Sequence, residues 1–262
     1  MANEVLEMRN AGVLRISHHI HLRAELCSET LPEELDEFGP ADQVGIVSMM
    51  DHTPGQRQFR DLQKFEDYVT AKNGMSREGF GDYIEFLYAL QEKLGAKHEA
   101  AAVAAANRYG AVLASHDDTT AEQVAHSAAQ GVRIAEFPTT VEAAKACKDA
   151  GIATIMGAPN LVRGGSHSGN VAAQKLAMTG HLDILSSDYV PASLLQGALL
   201  LADMWDDMAA GIATVTRQPA QASGLVDRGM LAVGSRADLV LFATMGTTPL
   251  VNGVWCQGKR VA

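Results

Sequence analysis

The feature that most constrains this chain is an alternation. Short apolar runs recur along it: QVGIVSMMDH (43–52), YGAVLASHDD (109–118), VRIAEFP (132–138), IATIMGAPN (152–160) and LDILSSDY (182–189). Between them lie longer amphipathic or alanine-rich stretches, which predict helices near 57–72, 76–107 (either continuous or broken near Gly95), 119–130, 139–150, 168–180 and 191–211. Two of these carry start signals, since DDTTAEQ and PTTVEAA each place Thr before an alanine-rich run with Glu in the first turn. Strand followed by helix, repeated, implies a parallel sheet with right-handed crossovers, either an open doubly wound sheet or a (β/α) barrel.

The ends of the strands decide between the two. Nearly every run closes on polar or turn chemistry: Glu25, Asp51 and His52, His116 with Asp117 and Asp118, Glu136, Asn160, Asp188. Side chains from the carboxyl ends of many strands meet at one mouth only when the sheet closes, and no GxGxxG or Walker sequence follows an early strand. A TIM-type (β/α) barrel is therefore the expected fold. With residues 12–26 as its first strand, the chain supplies six strands where a barrel needs eight.

After about residue 216 the chain changes character. Helix gives way to short β runs, ADLVLFA and PLVNGVWCQGKRV, punctuated by Gly. This divides the chain into a barrel portion (1–216) and a small β portion (217–262). At 262 residues and 47% hydrophobic the chain can bury a substantial core, and its net charge of −10 argues against broad binding to nucleic acid or anionic membrane. Any phosphate site must be local. Three widely spaced cysteines indicate neither a disulfide framework nor a structural zinc finger. The opening MANEVLEMRN lacks a signal-peptide layout, so the cytoplasm is the expected location.

HHIHLRAEL (18–26) offers a tempting His-x-His pair. At period 2, His19, His21, Arg23 and Glu25 share one face, and Ile20, Leu22, Ala24 and Leu26 the other. Glu25 lies roughly 13 Å beyond His21 toward the mouth, so both cannot serve one small ion. Position favours Glu25 as metal ligand, with the histidines lower in the barrel interior. His52 and His116 repeat one arrangement, an imidazole at a strand end beside a carboxylate, which suits zinc and similar ions. A structural histidine is the competing reading of either alone. Asp188 ends the last barrel strand, where it can bind metal and take a proton from attacking water, or simply cap the next helix. APNLVRGGSHSGN (158–170) reads as a glycine loop for an anion, ahead of a helix starting near Ser168; Arg163 supplies a fork, Arg57 and Arg60 add charge and His167 could contact substrate. A merely flexible loop is the alternative. His98, His126 and His181 read as surface or structural.

Taken together, HLRAEL, SMMDHTPGQRQF, LASHDDTT, IAEFPTT, MGAPNLVRGGSHSGN and DILSSDYVPASLL resemble the amidohydrolase superfamily, in its branch of ribose-methylphosphonate triphosphate diphosphatases of phosphonate breakdown. The tail is similar to part of the superfamily's small β-sandwich. The resemblance implies release of diphosphate from a ribose 1-methylphosphonate 5-triphosphate. It implies Glu25, His52, His116 and Asp188 around one or two divalent ions, zinc first and Mn, Fe or Mg as alternatives. Asp188 would also act as base, and Arg57, Arg163, Gly164, Gly165, Ser166, His167, Ser168 and Asn170 would hold the phosphates. The partner is then a small phosphorylated substrate, with homo-oligomerisation left open. The superfamily's first strand, with its HTD-type motif, is absent ahead of residue 12, so the chain is expected to be an N-terminally truncated member holding about strands 3–8. A deaminase or deacetylase type of amidohydrolase, and an inactive remnant acting as a binding subunit, are the competing functions.

Overall fold

The computed structural model describes residues 2–59, 62–73, 77–166, 169–246 and 248–262. Helix α1 (Ala2–Asn10) precedes strand β1 (Ile20–Glu25); α2 (Leu31–Asp36) leads to β2 (Val44–Met50). Helices α3 (Leu62–Asn73) and α4 (Arg77–Tyr109) precede β3 (Val112–His116). Then come α5 (Ala121–Ala129), β4 (Ile134–Glu136), α6 (Val141–Asp149), β5 (Ala153–Gly157), α7 (Ala158–Arg163), α8 (Ala173–Met178) and β6 (Ile184–Ser186). Helices α9 (Ser193–Trp205), α10 (Met208–Ala213) and α11 (Arg217–Ala222) follow, and β7 (Leu239–Met245), β8 (Thr248–Cys256) and β9 (Lys259–Arg260) end the chain.

The first six strands form one sheet in chain order, β1 to β6, and β7–β9 form a second. Pairing is parallel from β2 to β3 and β3 to β4, with Ser48 opposite Ala114 and His116 opposite Glu136, and from β5 to β6, with Gly157 opposite Ser186. The large sheet is an incomplete α/β barrel, with β1 and β6 at its two ends. The apolar face of β1 behaves as its alternation requires: Ile20, Ala24 and Leu26 are buried, while His21 and Arg23 are exposed.

Residues fall into two compact units. One comprises His21–Ile152 and His167–Val171, the other Met1–Ile20, Ala153–Ser166 and Ala172–Ala262. Within the former, α3 and α4 enclose an aromatic cluster of Phe65, Val69, Phe80, Leu87 and Leu90 around Cys27, with the Phe59 and Phe65 rings 4.5 Å apart. The expected Thr caps form: the Thr120 and Thr140 hydroxyls accept from the amides of Gln123 (3.2 Å) and Ala143 (3.0 Å).

Helix α4 runs through Gly95 without a break. Several boundaries depart from expectation. The single helix expected over 191–211 is two, because Asp206 turns left-handed (φ 50) and the Asp207 carboxylate caps α10 by accepting from Ala210 N at 2.9 Å. The first six residues of the expected glycine loop are helix α7, and the next helix begins at Ala173 rather than near Ser168, which lies outside the described residues together with His167 and Arg60. Helices α1, α2 and α11 were not foreseen.

Gly211 is where α10 meets α9. A Cβ there would come 2.6 Å from Ala198 O and Ala202 N, both main-chain atoms that cannot yield cheaply. Gly211→Ala is expected to cost about 1–3 kcal/mol by overpacking, read as a lower urea midpoint with an unchanged slope.

Candidate metal centre

The residues with metal chemistry sit where strands end. His52 follows β2 and His116 ends β3, so parallel pairing of the two strands brings their ends together. Their rings lie edge to face with centroids 6.2 Å apart. Asp117 takes a left-handed backbone (φ 57), one that short polar side chains tolerate. Its carboxylate accepts from His116 Nδ1 at 2.5 Å. His52, His116 and Asp117 each offer a ligand atom within 4.8 Å of the others. Two imidazoles and a carboxylate are a donor set that fits a divalent transition ion.

Glu25 is not part of this triad; its carboxylate makes a short hydrogen bond from His52 Nδ1 and accepts from His52 N and Cys27 N, each at 3.3 Å. The Glu25 carboxylate thus engages Nδ1 of His52, which leaves the Nε2 lone pair of that ring for an ion and fixes its orientation. Burial pulls the His52 imidazole down, but the Glu25 hydrogen bond and the charges of Glu25 and Asp117 outweigh it and raise its pKa. In the metal-free chain this pair stabilises the fold fully below the unfolded histidine's pKa, and the contribution is lost as pH rises through the raised folded value.

Around the triad the turns are tied down. The Asp51 carboxylate accepts from Thr53 N (3.0 Å), Thr53 Oγ1 (2.5 Å) and Gln56 Nε2 (2.8 Å). Burial pushes the Asp51 carboxyl up, yet the Thr53 bonds and the Arg57 charge hold it below its ordinary value. Arg57 donates from Nη1 to His116 O at 2.8 Å and to buried Asp118 at 2.7 Å, so it braces the His116 turn. Its Nε is the one buried side-chain donor without a partner among the described residues.

Below the triad a polar chain crosses the strands. Ser48 donates to Glu136 at 2.7 Å, and since its only hydrogen is used there, His21 Nε2–H donates to Ser48 Oγ at 2.5 Å. His21 therefore sits on β1 below Glu25, tied across the strands, and His19 lies before the strand and is exposed. His98 is buried with Nδ1 on Leu26 O, His126 pairs with Glu99, and His181 bonds Thr179. Asp117, Ser48 and Glu136 escaped assignment from sequence. Only the adjacency of His and Asp in LASHDD, echoing MMDH in reverse order, hinted at Asp117.

Cys27 is buried beside this centre, with Thr53 Oγ1 at 2.8 Å. Burial and the nearby carboxylates push its thiol up to about 12. Alkylation by iodoacetamide at pH 8 is expected to label the half-exposed Cys256 at least tenfold faster than Cys27, scored by peptide mass spectrometry.

Of the remaining site candidates, Asp188, Arg163, Gly164, Gly165 and Ser166 belong to the other unit and Asn170 to this one. Asp188 follows β6, is exposed, adopts φ 47, and its N–H donates to Ser186 Oγ at 3.0 Å. The amides of Gly164 and Gly165 close α7 by donating to Asn160 O at 3.1 and 3.0 Å. Arg163 donates to Gly165 O at 2.7 Å and to the Tyr189 hydroxyl at 3.5 Å. Ser166 and Asn170 are half-buried. No helix among the described residues is long and apolar enough to cross a membrane.

An incomplete parallel α/β barrel with imidazole and carboxylate donors at its strand ends defines a class. Residues 54–262 match the amidohydrolase family, and the chain belongs to that family of metal-dependent hydrolases. It is 44% identical over 264 residues to the alpha-D-ribose 1-methylphosphonate 5-triphosphate diphosphatase of Escherichia coli (strain K12), covering all of this chain and 70% of that protein. Among solved structures it is similar in fold to the 5-methylcytosine deaminase of Klebsiella pneumoniae liganded with phosphonocytosine: TM-score 0.58, 15% identity, 100% of this chain and 67% of that one.

Proposed function

We propose that the chain hydrolyses α-D-ribose 1-methylphosphonate 5-triphosphate to the 5-phosphate and diphosphate, in phosphonate catabolism. The observation that carries this reading is the 44% identity, sustained over the whole chain, to a protein of that activity. The donor set of His52, His116 and Asp117 supports a divalent ion, zinc in the first instance, with Asp188 as a further ligand of one or two ions and Glu25 holding His52 rather than the ion. When bound, the ion supplies a nucleophilic hydroxide at neutral pH and offsets charge on the phosphoryl oxygens.

The chain's own groups divide the remaining work. Glu25 orients His52, and Asp188 takes the proton of the attacking water. Arg57, Arg163 and the segment Gly164, Gly165, Ser166, His167, Ser168 and Asn170 bind the phosphates. Residues 1–216 act as the barrel portion and 217–262 as the sandwich portion, in a cytoplasmic enzyme that binds neither nucleic acid nor membrane. The test is diphosphate release from the ribose 5-triphosphate by purified, metal-supplemented protein, set against ammonia release from 5-methylcytosine. Ammonia without diphosphate would overturn the reading.

A further inference from the structure

We propose a second anion site, built from residues 12–15 and 256–261 and taking a compact multivalent oxyanion of the diphosphate class. A cavity of about 660 Å³ opens there, and its lining includes Arg15, Lys259 and Arg260 but no Asp or Glu. In a chain of net charge −10, three cations around one cavity reverse the average field locally.

The two guanidinium groups are held by main-chain acceptors. Arg15 Nη1 donates to Val261 O at 2.9 Å, which ties the N-terminal segment to the β8–β9 hairpin. Arg260 donates to the Ala262 oxygen at 3.0 Å and to Asn252 O at 3.1 Å, with its guanidinium 5.7 Å over the Trp255 ring. The hairpin turn is tied to the preceding segment: Gln257 and Gly258 both have positive φ, and their amides donate to Asp238 Oδ1 (2.9 Å) and Ala237 O (2.8 Å). Asp238, the carboxylate at this turn, is paired with Arg236 at 2.9 Å. No Asp or Glu side chain pairs with Arg15, Lys259 or Arg260 among the described residues. Two guanidinium forks and an ammonium suit an anion presenting several oxygens, as a diphosphate does, better than a single carboxylate.

Trp255 makes the site observable by itself. Protein labelled with 5-fluorotryptophan carries two fluorine resonances, from Trp205 and Trp255, assigned with Trp205→Phe. Titration with inorganic pyrophosphate is expected to shift the Trp255 resonance saturably below millimolar concentration. The midpoint should rise about tenfold or more in an Arg15→Gln, Lys259→Gln double variant, whose unmoved Trp205 resonance reports an intact fold. ADP as a second probe separates a free diphosphate from one carried on a nucleotide, and saturation by either supports the site. A shift reproduced by chloride at equal ionic strength, no saturable shift with either probe, or an unchanged midpoint in the double variant would overturn it.

Discussion

His116→Ala is expected to strip the purified protein of its divalent metal and to lower diphosphate release by roughly a thousandfold or more. His116 is one of three donors lying within 4.8 Å of one another, and it is buried, so no solvent-side group can replace it without rearrangement. Its removal also releases Asp117, whose carboxylate is oriented by His116 Nδ1 at 2.5 Å. The turn itself should survive, because Arg57 grips the carbonyl of residue 116 and the carboxylate of Asp118, neither of which the substitution touches. Metal analysis and the melting temperature of the metal-free protein therefore separate a lost ligand from a lost fold. Full metal content with full activity in the variant would sink the assignment of this centre.

The parallel α/β architecture was legible because strand ends and helix starts announce themselves in local chemistry. Apolar runs ending in Glu25, His52 and His116, and Thr before alanine-rich helices, each reduce to one residue's conformational preference. The helix α7 was missed because APNLVR carries no strong pattern, and the Gly164–Gly165 pair that reads as a phosphate cradle is here a helix end. Asp117 was missed for a different reason. Its place in the triad depends on a left-handed turn and on the neighbouring β2 end, and neither is visible in the linear order of LASHDD. The Ser48–Glu136 bond, 88 residues apart in sequence, is likewise a product of strand packing. Strand geometry correctly separated His21 from the mouth, since a period of two and a fixed rise are properties of the backbone alone.

Glu25→Gln distinguishes a carboxylate that holds the metal from one that holds the ligand. In the structure Glu25 meets His52 Nδ1 and stands outside the triad, so the amide is expected to weaken metal affinity by about 10–100-fold, the usual loss for an outer-shell partner, and to leave a site that still fills at high metal concentration. A direct ligand would lose the ion altogether under the same conditions. The pH dependence supplies a second, independent readout. Glu25 raises the pKa of His52, so an ion must displace a proton from the wild-type site up to a higher pH, and affinity falls as pH drops through that value. In the variant the Glu25 bond and charge are gone, and burial, which pulls His52 down, has less to oppose it. The decline of affinity should then move toward lower pH even though the plateau above it is weaker, so the gap between the two proteins narrows as pH falls, which loss of fold does not produce. Isothermal titration with Zn²⁺ between pH 5.5 and 8, in buffers of different ionisation enthalpy, measures both the affinity and the protons released. A variant curve parallel to the wild type, lower at every pH with the same midpoint, would show that Glu25 does not set the His52 proton.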